Sequence, residues 1–227
     1  MFHRVAPYYD AVNSILSLGL DRRWRRQTAA ALSLSPGASV LDVATGTGAL
    51  ATEIHRTTRG GVSITACDVN DSMLAVAQKR SAARNVPITF VKCDATELPF
   101  AEASFDAITI AFAIDDMPDR ERCAREMCRV LRPGGQLALL ELGQPEAPLL
   151  RQLYRLYLKL FRLLRHARLD GYGHLEQEIV TYRGARAVER LLAATGFTGY
   201  RQRSLAFGIA RLHLARKEVA ASPENAA

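Results

Sequence analysis

Short apolar runs punctuate this chain at regular intervals. Runs at 39–43, 63–67, 88–92, 105–110 and 136–142 read as strands, and a helix-like stretch separates each from the next. The clearest of those helices fall at 73–84 and 120–131. Strand and helix in strict alternation predict a parallel sheet with right-handed crossovers. Ahead of the first strand, residues 1–34 read as a helical prelude, 6–18 and then 22–32, ending before Ser35-Pro36-Gly37. Arg132-Pro133-Gly134-Gly135 reads as a helix stop and a turn before the fifth strand. Toward the end, Gly196 closes a helix at 185–194, and two more strands are expected near 199–204 and 209–216. No repeat or inter-domain linker is visible, and the tail 222–227 reads as disordered.

The first strand carries the most chemistry. Val40-Leu41-Asp42-Val43 runs into Ala44-Thr45-Gly46-Thr47-Gly48, and a helix start follows at Ala49. Glycines at 46 and 48 let backbone amides approach a ligand closely. Asp68 ends the second strand, about 20 residues beyond the turn, where an acid can grip ribose hydroxyls. No Gly-Lys-Ser/Thr follows, so the turn is not a phosphate loop, and the third glycine position of the dinucleotide fingerprint holds a larger residue. Asp42, Asp68, Asp94, Asp115, Asp116 and Glu141 all fall at carboxyl ends of strands, the edge where such sheets bind ligands. For Asp68 the plainer reading is a turn-opening aspartate, and for Asp94 a helix N-cap.

The Asp-Val-Ala-Thr-Gly-Thr-Gly form resembles the S-adenosylmethionine (SAM) site of Rossmann-like methyltransferases. The wider pattern is similar to the ubiquinone/menaquinone C-methyltransferase family, UbiE-like, within that class. It rests on Phe2, Ala6, Tyr9-Asp10, Asn13, Ser17, Gly19 and Trp24-Arg25 in the opening, and on Leu41 to Gly48 and Asp68 with Met73-Leu74 in the first sheet half. Leu98-Pro99-Phe100, Arg129 to Gly135 and Glu141 with Pro145 complete it. The match is good over residues 2–145 and weaker over 170–217. It implies a Rossmann-like α/β fold with a mostly parallel sheet flanked by helices, in one domain over 1–220. Residues 1–34 would form a helical cover and 147–183 a lid or acceptor segment. It implies C-methylation of a polyprenylated quinol with SAM, leaving S-adenosylhomocysteine, and no metal.

On that reading the cofactor contacts are Tyr9, Ala44, Thr45, Gly46, Gly48, Asp68, Met73, Asp94, Ala95 and Ala111. Backbone amides of the 44–48 turn face the methionine part, and Asp68 accepts the ribose hydroxyls. Asp94 accepts from the adenine amino group, with Ala95 or Met73 packed on the ring.

Two departures fall on the acceptor side. After the fourth strand the family has Phe-Gly-Ile-Arg-Asn, and this chain has Phe112-Ala113-Ile114-Asp115-Asp116. The family's Tyr-x-Tyr-Leu segment stands here as Tyr172-Gly173-His174-Leu175, followed by Glu178 and Tyr182. Asp115, Asp116 and His174 are therefore the candidate bases, Asp116 foremost because it occupies the Asn position. Glu178, four residues after His174, would orient that imidazole if the segment is helical. Adjacent residues seldom both face one pocket, so Asp115 and Asp116 are not expected to act together. The carboxylate pair also leaves open O- or N-methylation of another aromatic or amine acceptor. A non-catalytic SAM-binding module is the remaining alternative.

Charge adds one more feature. Of a net charge of +7 over 227 residues, Arg151, Arg155, Lys159, Arg162, Arg165 and Arg168 lie in a segment, 147–168, that holds no acid. Leucines, tyrosines and a phenylalanine fill the gaps, with Leu153, Tyr157 and Phe161 expected over an acceptor tunnel or in a membrane interface. Membrane-surface contact and an ordinary solvated lid helix both fit, and nucleic acid fits less well. No run reaches the length needed to span a bilayer, and Met1-Phe2-His3-Arg4 lacks a signal-peptide core, which places the expected location in the cytoplasm; if the basic segment makes membrane contact, it is peripheral on the inner membrane face. Cys67, Cys93, Cys123 and Cys128 have no metal-ligand spacing and read as reduced structural thiols. The sequence leaves the oligomeric state open.

Overall fold

A computed structural model describes residues 14, 17, 19–165 and 185–219. Its elements in chain order are α1 (Asp21–Ala31), β1 (Ser39–Val43), α2 (Ala49–Thr57), β2 (Ser63–Asp68), α3 (Asp71–Ala83), β3 (Thr89–Lys92) and β4 (Phe105–Ala111). There follow α4 (Arg120–Val130), β5 (Leu131–Leu142), α5 (Pro148–Arg165), α6 (Ala185–Ala194), β6 (Phe197–Leu205) and β7 (Ala210–Lys217).

The strands form one seven-stranded sheet in the order β3-β2-β1-β4-β5-β7-β6. Neighbours from β3 to β5 are parallel, and β7 runs antiparallel to both β5 and β6. That reversal is not written in periodicity, because an apolar run reads alike in either direction. Helices cover both faces, so the inner strands are apolar on both sides. On one face Val40, Ile64, Ala107, Ala138 and Leu140 pack with Trp24 of α1 and Leu50 and Ile54 of α2. On the other, Leu41, Val43, Ile108, Ile110, Leu137 and Leu139 pack with Met127 of α4 and with Val188 and Leu192 of α6.

Local chemistry fixes the ends. The Asn70 side chain accepts from the Ser72 and Met73 amides and starts α3, and Asp119 accepts from the Arg122 amide and starts α4. One boundary differs from expectation. Instead of a free turn before the fifth strand, β5 begins at Leu131 directly after α4, pairs there with Phe105, and resumes at Gln136 opposite Ala107. Arg132 to Gly135 bulge out of the strand between those pairs, since Pro133 has no N–H to give a ladder. The described part of the expected cover is α1, and of the expected lid α5; the stretches 1–13 and 166–184 lie outside the described residues.

Candidate active site

The carboxyl ends of β1, β2, β3 and β4 surround a cavity of about 400 Å³, within the usual range of a small-molecule site. The first wall is the turn after β1. Ala44 takes a left-handed conformation at φ 50°, and its neighbour Thr45 donates its amide to the Cys67 carbonyl at 2.9 Å, so the turn stays tied to β2. Beneath it, Asp42 is fully buried and accepts from Thr45 Oγ1 at 2.6 Å and Thr109 Oγ1 at 2.5 Å. Burial pushes its carboxyl up to about 6 against those hydrogen bonds. Asp42 thus fastens the turn to β4 across β1.

Gly46 and Gly48 have different jobs. Gly46 has φ 54°, lines the cavity, and would meet no heavy atom within 4 Å if it carried a Cβ. A side chain there would occupy the open space beside the turn. Gly48 does not line the cavity; at φ 73° it precedes α2, and a Cβ would stand 3.2 Å from that of Ala77 in α3. Its absent side chain serves close helix packing.

Asp68 closes the second wall. One carboxylate oxygen accepts the Gly46 amide at 2.7 Å and the other the Asn70 amide at 2.9 Å. It is therefore both the turn opener of the plainer reading and a cavity carboxylate held on the glycine turn. Burial raises its pKa, and these backbone donors oppose the shift. Met73, Asp94, Ala95 and Ala111 line the cavity too. Asp94 is exposed and accepts both the amide and the hydroxyl of Thr96, at 2.8 and 2.7 Å, so it organises its own turn at the rim, and that pairing lowers its pKa. Tyr9 lies outside the described residues.

The candidate bases separate. Asp116 lines the cavity together with Phe112, Ala113, Met117 and Pro118. Asp115 does not; it accepts from Arg120 Nη1 at 2.6 Å. His174 and Glu178 lie outside the described residues. Three further residues shape the site, and sequence reasoning had not placed them in it. Arg25 lines the cavity, is held by Asp21 at 2.5 Å, and lies over the Phe112 ring, 5.2 Å from its centre. Its signal was the Trp24-Arg25 pair of the opening. Asp42 and Glu141 showed only as strand-end acids. Glu141 is 4% exposed, and one of its carboxylate oxygens accepts the Ala113 and Ile114 amides, each at 3.0 Å. It clamps the backbone immediately before Asp115 and Asp116. Burial, helped by the nearby Asp115 charge, pushes its pKa up to about 8. The four cysteines are free and buried; Cys67 and Cys93 sit at the cavity wall. Among the described residues no three His, Cys, Asp or Glu side chains are grouped to hold a metal ion, and no helix is long and apolar enough to cross a membrane.

A glycine turn after β1, an acid at the end of β2 that binds that turn, and strand order 3-2-1-4-5-7-6 with β7 reversed define a Rossmann-like, SAM-dependent methyltransferase. The backbone superposes on a putative S-adenosyl-L-methionine-dependent methyltransferase from Methanococcus maripaludis with a TM-score of 0.70 at 17% identity, covering 95% of this chain and 93% of that one. It also superposes on the [4+2]-cyclase SpnF with a TM-score of 0.68 at 20% identity, covering 88% and 81%. Likeness at those identities is one of fold, and a fold hosts many chemistries. Sequence is more specific. The profile of the ubiE/COQ5 methyltransferase family matches residues 1–217, and the chain belongs to that family. A demethylmenaquinone methyltransferase of Mycolicibacterium paratuberculosis is 40% identical over 222 residues, 96% of this chain and 92% of the relative. The ubiquinone/menaquinone biosynthesis C-methyltransferase UbiE of Geobacter sulfurreducens is 35% identical over 224 residues, 96% and 87%.

Proposed function

We propose that this protein methylates a ring carbon of a quinol or quinol-like phenol, and that Asp116 is the carboxylate that faces the acceptor hydroxyl. The observation that carries this reading is the placement of Asp116 in the same cavity as the Gly46 turn and Asp68. When bound, SAM supplies an electrophilic methyl group. The open space at Gly46 and the half-buried acid beside it fit such a group. Asp68 would hold the ribose hydroxyls, the amides of 44–48 and Arg25 the methionine part, and Asp94 the adenine amino group, with Met73 and Ala95 against the ring.

Methylation at carbon needs electron density there. A carboxylate that accepts the hydrogen of a ring hydroxyl, as a hydrogen bond or as a transferred proton, moves density to the ortho carbon; as the carbon–methyl bond forms and the sulfur–methyl bond breaks, that carbon's own hydrogen then leaves as a proton, which restores the aromatic ring and its hydroxyl. Asp116 stands where it can do this. Asp115 is held by Arg120, and Glu141 by the amides it clamps, so both act on the position of Asp116. Ala111, Phe112, Ala113, Met117 and Pro118 give that wall an apolar lining that keeps water from the acceptor ring.

The family relatives named for ubiquinone or menaquinone work on quinones, and the apolar wall fits such an acceptor. We read the protein as a cytoplasmic enzyme working at the inner membrane face, in one domain with a helical cover over 1–34 and a lid over 147–183. Mass spectrometry of products from short-tailed quinols, phenols and amines incubated with SAM tests the reading. A methylated quinol is expected; turnover of amines alone would replace it with N-methylation.

A further inference from the structure

The edge of the sheet beyond the cavity carries two apolar protrusions that neither core absorbs. The first is on α5. Tyr154 and Leu158 turn inward and pack with Leu142 and Ile209. Leu149, Leu153 and Leu156 recur at i, i+4 and i+7 and so share the opposite stripe, 67, 53 and 53% exposed. Arg155 and Lys159 are exposed beside it. Arg151 is turned back instead, donating to the Pro145 and Glu146 carbonyls, and Tyr157 stacks on Tyr154. The helix face expected to hold all its basic residues is therefore partly spent on the preceding loop.

The second protrusion is the turn between β6 and β7. Ala206 and Phe207 have φ 46° and 58°, a left-handed pair without glycine, and Phe207 is 79% exposed. A large aromatic residue is rarely held in that conformation with its ring in water. Phe207 is not among the residues that line the cavity. The turn is built against the root of α5: the Gly143 amide donates to the Ile209 carbonyl at 2.8 Å, and the Gly208 backbone lies against Gln144 and Pro145. Arg201 and Arg203 are exposed on the edge strand leading to it. Glu146, the acid nearest the root of α5, is paired with Arg211 at 2.9 Å.

We propose that Phe207 and the Leu149-Leu153-Leu156 stripe are a two-point anchor in an anionic lipid bilayer. The occupant is fixed by charge: leucines and a phenylalanine flanked by Arg155, Lys159, Arg201 and Arg203, on a segment without acids, match apolar chains beneath anionic headgroups. Both points sit at the carboxyl edge of the sheet, the edge where the cavity opens. Docking there would bring the site to an acceptor that stays in the bilayer. The inference rests on the lipophilic acceptor proposed above and is tested apart from it.

Cosedimentation with phosphatidylglycerol-containing and purely phosphatidylcholine vesicles, at low and high salt, reads the anchor. The protein should bind anionic vesicles at low salt and release at high salt. Phe207→Gly should lower the partition coefficient about tenfold, the scale of one largely buried side chain. Its thermal midpoint should hold or rise, since glycine adopts positive φ without strain. A Leu149→Ser, Leu156→Ser double variant should lose at least as much binding. Turnover of a water-soluble, short-tailed quinol should stay at the unaltered level in both. No vesicle binding, or equal binding by Phe207→Gly, overturns the anchor while leaving quinol methylation standing. Vesicle binding without turnover of any quinol leaves the anchor standing and removes the acceptor assignment. A concentration-dependent dimer that Phe207→Gly dissolves would overturn the anchor in favour of a contact between copies.

Discussion

The two halves of the cavity are built on different plans. On the β1–β2 side, Asp68 is fixed by nearby backbone, the Gly46 and Asn70 amides, and Asp42 beneath it by the Thr45 and Thr109 hydroxyls. Everything needed lies in two strand-end segments and one threonine. On the β4–β5 side, position is set by side chains from afar. Glu141 of β5 holds the amides of Ala113 and Ile114, Arg120 of α4 takes Asp115, and Asp116 lines the cavity. The first plan suits a ligand held the same way each time. The second puts one carboxylate in place and lets the residues around it vary. This is where the chain departs from the family pattern, with two acids in place of Arg-Asn.

The sharpest break between the halves comes from Asp116. Asp116→Ala should lower kcat by ~10²–10⁴-fold, the span for losing a positioned base. Affinity for S-adenosylhomocysteine in calorimetry should stay nearly constant. Asp116→Asn separates proton transfer from orientation. A loss as large as with alanine marks proton transfer, whereas retention of most activity would mean that the side chain only orients the ring.

Asp68 should behave in the opposite way. Asp68→Ala is expected to weaken S-adenosylhomocysteine by ~10²-fold, about 3 kcal/mol, for two charge-assisted hydrogen bonds lost. Unchanged affinity would remove Asp68 from the cofactor side.

Glu141 gives a pH signature. Its folded-state pKa of about 8 stands above the unfolded value near 4.5. The folded protein therefore holds a proton that the unfolded chain releases. Stability from this group is complete below pH 4.5 and is lost as pH rises through about 8, by roughly 1 kcal/mol per pH unit at the steepest. Glu141→Gln keeps a carbonyl oxygen for the two amides and should flatten that slope in thermal melts across this range. A slope equal to that of the unaltered protein would mean Glu141 is charged when folded.

The smallest effect belongs to Asp115. Its pair with Arg120 is about a quarter exposed on both sides, and such pairs contribute about 0–1 kcal/mol. Asp115→Asn should change kcat by no more than about threefold. A loss matching Asp116→Ala would return Asp115 to the reacting side.

The same contrast explains what could be read from the chain. The strand starting at Ser39 and the helix spanning Ala49–Thr57 follow from local apolar patterning, and so do the glycine turn and the acid that binds it. The bulge within β5 was missed because Leu131 looks like the last turn of α4 until Phe105 pairs with it. The reversal of β7 leaves no local trace. Among site residues, Arg25 and Glu141 act across long sequence separations, and Glu141 shows its part only once β4 and β5 lie side by side. Gly48 stands among the expected cofactor contacts on spacing, and its φ and the nearby Ala77 show a packing reason for glycine there as well. His174 and Tyr9 fall outside the described residues.

One measurement bears most directly on the chemistry assigned to this cavity. A short-tailed quinol is incubated with SAM carrying an isotope-labelled methyl group, and the position of the label is read by nuclear magnetic resonance. The expected result is label on a ring carbon ortho to a hydroxyl, formed one for one with S-adenosylhomocysteine and lost in Asp116→Ala. Label on oxygen, or on nitrogen when an amine competes, would contradict it.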